Sequence, residues 1–115
     1  MTPGRVNFIC PQGSTFNRRI TYKIDDVPVN LTGYSSRLQV REAHYSTSTL
    51  VDIATTTGGI TLGGSAGTID LLISASATSL ITAGNFVYDL EIQASNGTVD
   101  RLIEGSFVVT PEVTR

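Results

Sequence analysis

Tryptophan is absent from this chain, and cysteine and histidine occur once each. The single Cys10 excludes an intramolecular disulfide and suits folding in a reducing cytosol; a small buried apolar residue is its expected role, ahead of a nucleophile. The single His44 leaves no second imidazole for a metal site, and its place in "AHYSTST" at a strand end reads as a surface residue. Charge of one sign is also missing: the 8 basic and 10 acidic residues give a net charge of −2, with no run of either. Neither a duplex nucleic acid nor an anionic membrane is therefore an expected partner. No segment approaches the ~20 apolar residues needed to span a bilayer, and "MTPGRVNFIC" carries neither a basic region followed by a long apolar run nor a cleavage site, which predicts no signal peptide. No GxSxG, HExxH, CxxC or Walker pattern occurs, so neither an enzyme nor a cofactor is expected.

Short β-branched runs set between Gly, Ser and Thr are what is present. That pattern predicts an all-β fold, an Ig-like antiparallel sandwich of about 7–9 short strands in a single domain over 1–115. "VNFIC" (6–10) makes a first strand ended by Pro11 and Gly13. "TFNRRITYKI" (15–24) turns Phe16, Ile20, Tyr22 and Ile24 to one face, after which Asp25 and Asp26 open a turn. Strands follow at 36–43, 50–54, 59–63 and 68–74. "GGSAG" is a turn and not a phosphate cradle, since a strand and no helix follows it. "SASATSLITAG" has enough Ser caps and helix-tolerant residues for one helical turn near 76–82. The sequons at Asn30 and Asn96 read as turn-forming asparagines.

"NFVYDLEIQASNGTVDRLIEGSFVV" predicts a C-terminal hairpin. Asn96 and Gly97 suit a type I′ turn, which needs positive φ at both central positions. The register that follows sets Phe86 opposite Phe107, Tyr88 opposite Gly105, Leu90 opposite Ile103 and Ala94 opposite Val99, with Gly105 leaving room for the Tyr88 ring. Tyr88 is expected in the core, its hydroxyl bonded to a backbone group near a corner. The same register puts Asp89 opposite Glu104, with Glu91 and Asp100 on the same outer face. Opposed carboxylates need cations beside them. Arg37 and Arg41, which alternate with Leu38 and Val40 in "RLQVR", are expected to supply them from a neighbouring strand. The other reading of these arginines is a docking site.

Other candidates are weaker. Asp25 and Asp26 are adjacent, so their side chains diverge and make a poor acid–base pair. Of the tyrosines, Tyr22 and Tyr88 fall on core positions, while Tyr34 and Tyr45 lie in or near loops. That is a thin basis for a carbohydrate platform.

Two resemblances add to this reading. The order strand, helical turn, "FVYDLEI" is similar to the E-to-F passage of immunoglobulin-like domains, with Tyr88 two residues before Leu90, where antibody domains carry Cys. Over nearly the whole chain, the TF-x-R opening strand, "LTGY" before "R-x-QVR", the "YDLEI" strand and the closing "V-x-P-x-VTR" resemble small tailed-phage proteins related to the Ig-like N-terminal domain of baseplate upper proteins. That resemblance implies a virion structural or adaptor protein of the tail, baseplate or fibre-attachment region, made in the host cytoplasm, which works by assembly with other virion proteins or as a homo-oligomer. A capsid decoration or neck protein, and a carbohydrate-binding receptor module, are the alternatives.

Overall fold

The computed structural model describes residues 3–114 of the chain; Met1, Thr2 and the Arg115 of the closing "VTR" lie outside it. Two sheets face each other. One contains β1 (Gly4–Arg5), β2 (Phe8–Pro11), β6 (Ser35–Arg41), β7 (Val51–Ala54), β10 (Gly84–Gln93) and β11 (Val99–Thr110), in the order β1-β11-β10-β6-β7 with β2 also on β11. The other contains β3 (Phe16–Thr21), β9 (Thr68–Ile73) and β8 (Ile60–Leu62), in the order β3-β9-β8. A hairpin of β4 (Lys23–Ile24) and β5 (Val27–Pro28) stands apart. With β3, β6, β7, β8, β9, β10 and β11 lettered B, C, C′, D, E, F and G, the sheets read B-E-D and G-F-C-C′, the arrangement of an immunoglobulin-type sandwich.

Alternation builds the core. In β10, Phe86, Tyr88, Leu90 and Ile92 are buried while the residues between them are half-buried on the outer face. In β6, Leu38 and Val40 do the same. The rings of Phe8, Phe16, Tyr88 and Phe107 form a chain of contacts with centroids 5.0–6.4 Å apart, tying the first strand to both sheets. Such aromatic packing adds about 1 kcal/mol per pair beyond simple burial.

Four expectations are corrected. The described strands number eleven, because the first strand is broken at Val6–Asn7 and "TYKIDDVPV" forms its own hairpin. The sandwich is not wholly antiparallel: β1 and β2 both run parallel to β11. The helix is shorter and earlier than 76–82, spanning Ala75–Thr78 with the Ser74 hydroxyl accepting from the Ala77 amide, and Gly84 already belongs to β10.

The fourth concerns the C-terminal hairpin. Its pairs from Phe86–Phe107 to Leu90–Ile103 follow the expected register, but the ladder shifts between Leu90 and Glu91, so that Glu91 faces Arg101, Ile92 faces Asp100 and Gln93 faces Val99. The extra residue is Leu102, which is buried beside Ile103. A bulge lets two consecutive apolar residues enter the core, and it moves Asp100 off the outer face. The turn differs accordingly. Gly97 has φ 92° but Asn96 is not in the positive region; the Gly97 amide donates to Ala94 O and the Ala94 amide to Thr98 O. This is the three-residue loop closed by a left-handed glycine, not a type I′ turn. Two positive φ values in succession occur instead at Asp25 (51°) and Asp26 (64°), at the tip of the β4–β5 hairpin. Asn30 and Asn96 both accept side-chain bonds from the amide two residues on, at 3.0 Å.

Candidate functional site

The outer face of the larger sheet gathers most of the residues singled out above. Strand pairing aligns Arg5, Glu104, Asp89, Gln39 and Asp52 in one row across it, and Arg101, Glu91, Arg37 and Ala54 in the next. β6 lies beside β10, so Arg37 reaches Glu91 at 3.8 Å. Among the described residues Arg41 does not meet a carboxylate: its guanidinium donates to Ser46 O at 2.8 Å and to the Gln39 side-chain oxygen at 3.0 Å, anchoring the loop after β6. The opposed pair Asp89 and Glu104 is served instead by Arg101, 3.4 Å from each. Strict alternation would have put Arg101 opposite Ile92, toward the core. The Leu102 bulge turns it outward, and "Leu-Ile" breaking the alternation is the signal that marks it.

A shallow pocket of about 170 Å³ opens between Arg41, His44, Asp89 and Arg101. Its charged side chains engage one another, Gln39 or the backbone. Among the described residues, no group of three or more His, Cys, Asp or Glu comes together that could hold a metal ion. On this face Asp89, Glu91 and Glu104 are each paired with an arginine.

Tyr88, Gly105 and the first strand form a second constellation. Tyr88 is buried, and its hydroxyl donates to Val6 O at 2.6 Å, a partner on the first strand and not at the neighbouring corner. Burial raises the Tyr88 pKa above the ordinary phenol value, partly opposed by the charge of Arg5. Gly105 does not make room for the tyrosine ring, as the register suggested. A Cβ there would collide with the Val6 carbonyl oxygen and lie 2.8 Å from the Asn7 side-chain oxygen. That Asn7 oxygen accepts from the Ser106 amide at 3.0 Å. Cys10 is fully buried on the same strand, and burial raises its pKa, so it is a core thiol.

On the smaller sheet, Arg19 grips Asp70 through two bonds of 2.7 and 3.0 Å, which lowers the Asp70 pKa chiefly through that hydrogen bonding. Arg18 sits between Phe16 and Ile20, on the face that otherwise enters the core. Its guanidinium lies 4.6 Å from the Phe16 ring centroid and donates to Ile9 O at 3.2 Å, bridging β3 and β2 at the seam between the sheets.

Both ends of the sandwich carry exposed apolar side chains. The loops after β6, between β9 and β10, and after β11 all leave at the end opposite the 94–98 turn, and they present Tyr45, Leu80 and Val113 at 90%, 86% and 92% exposure. Ile24 and Val27 on the β4–β5 hairpin and Val99 beside the 94–98 turn stand exposed at the other end. In comparisons with known proteins, the chain matches no family model and no curated protein.

Proposed function

We propose that this protein is a non-enzymatic virion protein of a tailed phage, an adaptor of the tail, baseplate or fibre-attachment region that works by docking to other virion proteins in many copies. The observation that carries the reading is the distribution of surface chemistry. On the broad outer face Asp89, Glu91 and Glu104 are each paired with an arginine, whereas Tyr45, Leu80 and Val113 at one end are almost wholly exposed. A large apolar side chain left in water gains free energy when a partner covers it, and aromatic anchors dominate such contacts. End-to-end docking suits a stacked particle. The phage assignment itself rests on the motifs "TF-x-R", "LTGY…R-x-QVR", "YDLEI" and "V-x-P-x-VTR".

The test is the position of a tagged copy in a cryo-EM map of the particle. Density at the tail, baseplate or fibre root supports the reading. Density on the capsid or neck moves the protein to the alternative class of virion protein, and absence from purified particles overturns the proposal.

A further inference from the structure

The socket that receives the first strand is built into β11 and β10, independently of which chain supplies the strand. Gly105 lacks the Cβ that would block Val6, the Tyr88 hydroxyl is aimed at Val6 O, and the Ser106 amide bonds the Asn7 side chain. Phe8 and Cys10 complete the core from the same strand. Residues 4–11 run parallel to β11, and within the described chain their link to the rest of the fold is the short turn 12–15. That turn is held in a demanding shape. Gly13 has φ 81°, and the Ser14 amide donates back to Pro11 O. Short hinges under conformational demand favour exchange of the element they tether between copies, because opening the hinge gives up only the bonds of the turn itself, such as Ser14 N–H to Pro11 O, while the contacts of the strand with its socket are kept.

We propose that residues 4–11 exchange between copies of this chain, each strand filling the β11 socket of a neighbour. With its own strand withdrawn, β11 presents Ile103–Thr110 as a long bare edge, the feature that sheets avoid. An identical strand from a second copy restores every contact of residues 4–11 with the socket, so exchange needs no new interface and grows with concentration. Reciprocal exchange closes a dimer, and one-way exchange gives chains. The inference gives the proposed assembly role a physical mechanism, but it is tested on purified protein, so its outcome is independent of where the protein sits in a particle.

The lone cysteine provides the test. Val109 is the register partner of Cys10 across the parallel pair, so Val109→Cys places two thiols at disulfide distance. Protein incubated at millimolar concentration and at micromolar concentration is oxidised and run on a non-reducing gel, and the bridged peptides are mapped. Exchange predicts a Cys10 bridge to the new thiol within one chain at low concentration and between chains at high concentration. A bridge that stays within one chain at every concentration overturns the proposal.

Gly13→Ala decides the matter if that variant fails to fold or to bridge. Alanine is disfavoured at positive φ but not in an extended hinge, so exchange predicts an exchanged fraction raised by roughly fivefold per hinge, read as molar mass by light scattering. A Gly13→Ala protein that is only less stable, and monomeric throughout, also overturns the proposal.

Discussion

Tyr88 and Gly105 face each other across the β10–β11 ladder and serve the same atom. The Tyr88 hydroxyl bonds the Val6 carbonyl oxygen at 2.6 Å, and the missing side chain of Gly105 leaves that oxygen its space. Tyr88→Phe leaves the Val6 carbonyl without this part-buried bond and should cost about 1 kcal/mol. Gly105→Ala forces Val6 backbone to move and should cost about 2–3 kcal/mol. Because both act through the docking of one strand, the double variant should lose less than the sum of the two. Denaturant melts of the four proteins give the coupling. Strict additivity would show that the two residues do not share a function.

The same phenol sets an alkaline limit. The folded-state pKa of Tyr88 is raised by burial, so its contribution is fully present below the unfolded value of about 10 and is lost as pH rises from there toward the folded value. Cys10, whose pKa burial also raises, begins the loss of stability near its unfolded value of about 9, and the fall should steepen above pH 10 as Tyr88 contributes. Tyr88→Phe should flatten part of that fall, with Tyr22, whose pKa is also raised by burial, supplying a share of the remainder. Equal slopes in both proteins would place the alkaline transition elsewhere.

Arg101 carries the electrostatics of the outer face, and Arg41 does not. Arg101→Glu would set a third carboxylate between Asp89 and Glu104 and should cost about 1 kcal/mol at low salt, less at high salt. Arg41→Glu loses bonds to Ser46 and Gln39, a change confined to its loop, and should show a weaker salt dependence. Melts of both variants at two salt concentrations decide between them; the reverse order would restore Arg41 as the counter-ion.

Alternation made the long strands legible. β10 could be read because Phe86, Tyr88, Leu90 and Ile92 recur at every second position, and the register with β11 followed as far as Leu90. What escaped were features that break the period of two. One extra residue at Leu102 reversed the faces of Arg101 and Asp100. The hairpin register assigns the space at Gly105 to the Tyr88 ring because sequence pairing sees only neighbours within a hairpin, whereas its occupant, the Val6–Asn7 backbone and side chain, comes from about a hundred residues away. Arg18 carries no local signal either, because a charged residue on the core-facing side of β3 gains its role only from Phe16 and Ile9 O at the seam beside it. The partnership of β1 and β2 with β11 is likewise a long-range pairing with no local signature.

The exposed end offers the last prediction. Tyr45 and Leu80 are 90% and 86% exposed, so replacing both with Ser removes almost no packing and should change stability by no more than about 0.5 kcal/mol. If that end is a docking surface, the double variant folds normally but fails to enter particles when it complements a phage lacking the protein, and an immunoblot of purified particles measures the loss. Ile24→Ser with Val27→Ser makes the same test at the opposite end. Loss at one end alone identifies a protein bound at a terminus of a stack, and loss at both identifies one held between two neighbours. Normal incorporation of both double variants would remove the ends from the docking surface and leave strand exchange through β11 to account for assembly.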